Sequence, residues 1–182
     1  YAEDEMPSFK DGLCLFYEKR DSSETSSSYN FGFINNKFEI AIPAIFPYWG
    51  FYCDGFPSHF VNDRAIVSQS STSYFLINKQ GEFIGSPFEY SIGYNAACLY
   101  YPEISEGLIA ASIDNKFGYL NPMDGQIFIP FKFSLAGPFS EGLAVVEYNN
   151  QYISFIDKSG KNITNKRYYT KKRNSKKWSL YN

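Results

Sequence analysis

A chain of 182 residues is long enough to bury one sizeable core, or to form one array of repeats that behaves as a single domain. Aromatic residues make up 20% of it, chiefly Tyr and Phe, with only 2 Met, a mixture that suits pleated, half-buried strands better than helices. The net charge of -2 hides an asymmetry: residues 1–160 carry all 19 Asp/Glu against nine Lys/Arg, whereas the last 22 residues carry eight basic groups and no acid. An acidic body makes nucleic acid an unlikely partner, and no apolar run approaches the ~20 residues of a membrane helix.

The chain opens at Tyr1 without an initiator Met, which points to removal of an upstream segment. Phe9-Lys10-Asp11-Gly12-Leu13-Cys14-Leu15-Phe16 predicts a tight turn running into an apolar strand. Glu18 to Asn30, rich in Ser and charge, reads as an exposed hairpin loop. Phe31-Gly32-Phe33-Ile34-Asn35 is the returning strand, and Ile40-Ala41-Ile42-Pro43 a short third one. After an aromatic insertion from Pro47 to Ser58 the pattern starts again.

The second copy is Phe60-Val61-Asn62-Asp63-Arg64-Ala65-Ile66-Val67, with Asp63 in place of the glycine. Tyr74-Phe75-Leu76-Ile77-Asn78 and Phe83-Ile84-Gly85-Ser86-Pro87 follow, and then a second insertion from Ser91 to Pro102. A third copy runs through Ile104-Ser105-Glu106-Gly107-Leu108-Ile109-Ala110-Ala111, Phe117-Gly118-Tyr119-Leu120-Asn121 and Ile127-Phe128-Ile129-Pro130. The fourth has Phe139-Ser140-Glu141-Gly142-Leu143-Ala144-Val145-Val146, then Ile153-Ser154-Phe155-Ile156-Asp157, then Ile163-Thr164-Asn165 without proline, as suits a terminal repeat. Each middle element ends in Asn or Asp, and Gly81, Gly125 and Gly160 follow as turn residues.

Each unit is thus a three-stranded meander too small to bury its own apolar face. The predicted fold is all-β: about four tandem three-stranded β-meander repeats (9–46, 60–90, 104–133 and 139–165) packed as an open array or solenoid. A small propeller-like or barrel-like closure is the alternative, since it would hide both edge strands. The repeat domain spans 1–165, and 166–182 is a basic C-terminal tail. Proline is expected to stop the third strand, because it cannot donate to a ladder.

On these residues the chain resembles the WG-repeat (KWG-repeat) proteins of bacteria, whose repeat runs as Phe-Ser-Glu-Gly-Leu-Ala, an aromatic-Gly-Tyr-Ile-Asp element, a glycine and Ile-Pro. The best matches are Phe139 to Val146 and Phe117 to Pro130, and the likeness extends from residue 9 to about 165. Phe75 and Ser154 stand where the family has glycine, and Trp49-Gly50 falls out of register inside an insertion. The resemblance implies a β-rich repeat without catalytic residues, often in envelope or secreted proteins. A periplasmic, cell-surface or secreted setting is therefore favoured over a cytoplasmic one.

Candidates for chemistry are sparse. His59 is the single histidine, so any Ser-His-Asp or Cys-His site would have to use it with Asp54 or Asp63; a loop or strand-edge role is the simpler reading. Asp11, Glu106 and Glu141 recur at one repeat position, which points to stabilisation of turns rather than to a facing acid/base pair. Asp114-Asn115 and Asp124-Gly125 lack the ligand density of a calcium loop, no phosphate-binding glycine loop occurs, and no cofactor is expected. Among Cys14, Cys53 and Cys98, the first is expected as a buried thiol, and the other two could pair in an oxidising compartment.

Binding residues are better supplied. Tyr48, Trp49, Phe51, Tyr52 and Phe56 form one aromatic group in the first insertion, and Tyr90, Tyr94, Tyr100 and Tyr101 another in and directly before the second. Aromatic side chains dominate interface hot spots, and loops on one side of a repeat array commonly carry binding. The expected function is a non-catalytic protein-binding module for a basic protein partner, with immunity against a toxin as one specific form. A structural envelope or surface component is the second hypothesis, and a glycan-binding or glycan-processing protein the third.

Overall fold

The computed structural model describes residues 8–19, 29–48, 57–70, 73–92, 102–149, 152–164 and 168–169. Its repeating element is a two-residue turn. At Asp11-Gly12 the φ angles are 53° and 82°, at Asn62-Asp63 51° and 61°, at Glu106-Gly107 47° and 83°, and at Glu141-Gly142 52° and 80°. Positive φ at both central residues is the type I′ geometry, whose twist matches that of antiparallel strands. Glycine was expected to take such a conformation; the acidic or amide residue before it adopts the same region, and Asp63 does so in place of glycine.

Four sheets grow from these turns. The first is β1 (Leu13–Lys19), β2 (Tyr29–Asn35) and β3 (Ile40–Tyr48), in that order. The second is β4 (Ala65–Ser70), β5 (Ser73–Ile77) and β6 (Phe83–Ile84). The third has β7 (Ser91–Ile92) and β8 (Ile104–Ser105) both pairing with β9 (Leu108–Ile113), then β10 (Lys116–Leu120) and β11 (Ile127–Phe133). The fourth is β12 (Leu135–Ser140), β13 (Leu143–Tyr148), β14 (Tyr152–Asp157) and β15 (Tyr168–Tyr169). All pairings are antiparallel, and no helix occurs among the described residues.

The sequence expects proline to end the third strand, and this is corrected in two repeats. Both β3 and β11 run through their prolines, Pro43 and Pro130. The ladder is irregular there: Phe33 pairs with Ile42 but Phe31 with Phe46, and Tyr119 pairs with Ile129 but Phe117 with Phe133. Extra residues on the third strand form a bulge, which leaves the proline outside the regular ladder.

The same bulge accounts for the aromatic-Gly pair. A Cβ on Gly32 would lie 2.6 Å from the Ile42 carbonyl oxygen, and one on Gly118 2.5 Å from that of Ile129. Where Phe75 and Ser154 replace the glycine, the third strand shrinks to the two residues of β6, or to a single bridge between Ile156 and Asn162.

The core divides by junction. Leu13, Phe31, Phe33, Ile42 and Phe46 of the first sheet pack against Ala65, Val67 and Ile77 of the second. Ile66, Tyr74 and Leu76, on the opposite face of that second sheet, pack against Ile109, Ala111 and Leu120 of the third. Leu108, Tyr119, Ile129 and Phe133 then meet Ala136, Ala144, Val146 and Ile156 of the fourth. Alternate residues of one strand thus serve successive junctions, as the period of two requires. The array is open, and none of its sheets closes into a barrel.

Candidate partner-binding edge

The array has two long edges, because every first hairpin leaves its type I′ turn and reverses at the opposite end. On the turn edge, Asp11 Oδ2 accepts the Asp63 N–H at 2.7 Å across the first junction. Lys79 Nζ lies 3.1 Å from Asp11 Oδ1 and 2.7 Å from Asp63 Oδ1. The arrangement recurs across the last junction, where Glu106 Oε2 accepts the Gly142 N–H at 3.0 Å and lies 3.1 Å from Lys158 Nζ.

The hydrogen bond from Asp63 N–H, then that from Lys79, holds the Asp11 carboxyl below its usual range. For Glu106 the Lys158 ammonium acts first, with the Gly142 N–H behind it. Each carboxylate therefore joins two repeats, a role beyond bracing its own turn. A general acid at neutral pH needs a raised pKa, and both groups are displaced the other way.

The second turns are fixed by side chains on the same edge. Asn35 Oδ1 accepts the N–H groups of Lys37 and Glu39, and Asn78 Oδ1 those of Gln80 and Glu82. Asn121 Oδ1 accepts from Met123, and Asp157 Oδ1 from Ser159 and Lys161. These side-chain turns explain why each middle element ends in Asn or Asp. Gly81 and Gly160 follow with φ of 79° and 77°, and Phe38, 77% exposed, takes φ 62° in the first repeat where no glycine is present.

The hairpin-tip edge carries aromatic rings. Tyr17 is 61% exposed and meets Tyr29 edge-on at 5.3 Å, with Phe31 behind it at 6.3 Å. At the middle junction Tyr90 lies 4.9 Å from Phe131. At the last, Tyr148 stacks on Tyr152 at 5.4 Å and meets Phe133 edge-on at 5.2 Å. Burial pushes the Tyr148 phenol up.

Of the predicted binding residues, Tyr48 closes β3 opposite Tyr29, so the first insertion leaves from this edge. Trp49, Phe51, Tyr52, Phe56, Tyr94, Tyr100 and Tyr101 lie outside the described residues, as do Cys53, Asp54 and Cys98. The second insertion does not leave from the tip: β7 runs inward from it, Ser91 pairing with Ser112 and Ile92 with Ala111, and the chain resumes beside the same strand with Ile104 opposite Ile109. Sequence reasoning did not single out Tyr17, Tyr29, Tyr148 or Tyr152. Their signal was position, since each flanks a hairpin tip.

Beside β7 lies an open polar groove of about 640 Å³, lined by Ser91, Ser112, Asp114, Asn115, Phe117 and Ser134. Asp114 and Asn115 form the β9–β10 tip, with φ of 50° and 58°. His59 sits half-buried in the segment before the second turn, where its carbonyl accepts the Ser58 hydroxyl. Cys14 is a buried free thiol, as expected. Among the described residues no three His, Cys, Asp or Glu side chains gather as metal ligands. No helix is long and apolar enough to cross a membrane among those residues.

Residues 117–152 match the WG containing repeat. It is the family that the sequence resembles. The matched WG segment begins at the Phe117-Gly118 bulge, includes the Glu141-Gly142 turn and ends at the start of β14, so the family repeat straddles a junction between two sheets. No curated protein matches the chain. Among solved structures, the one titled "Crystal structure of HIRA(644-1017)" aligns with 96% of this chain at 7% identity and a TM-score of 0.45. This chain spans about half of that one, 51% of its length.

Proposed function

We propose that this β-rich WG-repeat chain is a non-catalytic protein-binding module that takes its partner along the hairpin-tip edge. The observation that carries this reading is exposed Tyr17, set edge-on against half-buried Tyr29 beside the strand end from which the first aromatic insertion departs. Rigid aromatic rings offer large contact area at small conformational cost. The opposite edge is engaged in holding repeats together, which leaves the tips and insertions free to vary.

The acidic body of residues 1–160 selects a basic partner and steers its approach. Immunity against a basic toxin is the specific form that this combination suits, and an envelope scaffold is the form that needs no such aromatic edge. Affinity capture followed by titration with the purified partner tests the reading. Replacing Tyr17 and Tyr29 together by Ala should weaken binding by about tenfold or more at unchanged melting temperature. Raising the salt concentration should weaken it further. Undiminished affinity in that variant would refute the tip edge as the site.

A second reading, recognition of a glycan, rests on the groove near 640 Å³ that sets three serine hydroxyls, an amide and a carboxylate around Phe117. Glycan-array binding that disappears on Asp114→Ala would favour it over a protein partner.

A further inference from the structure

The first and last junctions of this molecule follow one rule, and the fourth repeat carries half of an unused junction of that kind. The residues that face the following repeat are Leu13 and Leu15 in the first sheet, Ile66 in the second, and Leu108 and Ala110 in the third. Their counterparts in the fourth repeat are Leu143 and Val145, which remain 36% and 38% exposed, with Ile163 at 45% on the same repeat.

The polar part is repeated as well. Glu141 occupies the position from which Asp11 and Glu106 reach the next repeat. Its carboxylate has no hydrogen-bond or ion-pair partner among the described residues. An acid that bridges repeats at the first and last junctions, next to an apolar pair packed against the following repeat at both, describes a docking face of known complement. That complement is the leading face of a β-meander of the same kind.

The chain itself contains one such leading face without a repeat before it. In the first repeat, Phe16 and Ile34 hold the places that Val67 and Ile77, Ala111 and Leu120, and Val146 and Ile156 hold in the others. Both are only half-buried. Gly12 supplies the N–H equivalent to those of Asp63 and Gly142, and Lys37 brings an exposed cation to the neighbouring second turn.

We propose that two copies of this chain associate head to tail, the Glu141-Leu143-Val145 face of one covering the Gly12-Phe16-Ile34 face of the next as a continuation of the repeat stack. The contact is heterologous, so it leaves a free face at each end and propagates or closes into a ring. It uses neither the hairpin tips nor the partner proposed for them, and the two ideas stand or fall separately.

Sedimentation of the full chain between about 1 and 100 µM tests it. Its mass should rise with concentration beyond one copy. Val145→Asp and Phe16→Asp should each yield monomers with unchanged circular dichroism, and an equimolar mixture of the two should form a one-to-one complex, because each variant retains one intact face. Glu141→Lys, a surface change that leaves the fold untouched, should weaken association by about tenfold. A wild-type chain that stays monomeric throughout, a mixture that stays monomeric, or association indifferent to Glu141→Lys would each overturn the proposal.

Discussion

The first and last junctions of the array are closed by the same polar clamp, whereas the middle one is not. Where Asp11 and Glu106 reach across, the second repeat offers Asn62, and where Lys79 and Lys158 stand, the third has Pro122. Arg64 occupies the position of Leu13 and Leu108, and its buried Nε has no acceptor among the described residues. The middle junction relies instead on apolar fill: Ile66, Leu76, Ile109 and Leu120 are each at most 1% exposed, with Phe88, Tyr90, Ile92 and Phe131 packed around them. One repeat frame can therefore be joined by different chemistry. Its constant feature is the alternation that sends neighbouring residues to opposite junctions.

That contrast is most strongly tested inside the middle junction. Ile66→Ala should cost about 2–5 kcal/mol in denaturant unfolding, through lost burial and the cavity left behind. A cost below about 1 kcal/mol would mean that something other than apolar packing holds the two halves together.

Next comes the bulge, which both clamped junctions share. Gly32→Ala and Gly118→Ala should each cost about 1–3 kcal/mol, because the added Cβ meets a backbone carbonyl that cannot swing away. Similar losses at the two sites would sharpen the equivalence of the first and third repeats. A tolerated alanine at either would break it.

The clamps themselves should contribute least. Asp11→Asn should cost only about 0.5 kcal/mol in thermal unfolding, since its ion pair is partly solvated. Its effect on pH dependence is more specific. Asp11 and Glu106 have lowered pKa values in the folded chain, so their contribution is complete above the ordinary carboxylate range of about 4 and is lost as the pH falls through the folded values. The double variant Asp11→Asn, Glu106→Gln should show a flatter loss of stability on acidification than the wild type. Parallel acid limbs would remove the clamps from the account.

Much of this design was legible in the sequence, because repetition averages out local accident. Four Asp/Asn/Glu-Gly-type turns at one frame position fixed the hairpins, and an Asn or Asp at each strand end marked the second turns. The path of the third strand was less legible. Proline argues against a strand locally, and only the register shift in the third dimension lets Pro43 and Pro130 sit inside one. The clamps were hidden for a related reason: Asp11 and Lys79, or Glu106 and Lys158, meet across a junction, and no local pattern announces such a meeting. Tyr17 and Tyr29 stand out less in the sequence than the dense aromatic insertions, because they are single residues whose importance comes from their place beside a hairpin end.

Hydrogen exchange on the full-length Ile66→Ala variant is the most direct test of a stack stabilised by nearest neighbours. Protection should fall most in β4, β5, β9 and β10, which flank the altered junction, while β1–β3 and β12–β14 keep most of theirs. Equal loss across all four sheets would reveal a single cooperative unit and contradict the account.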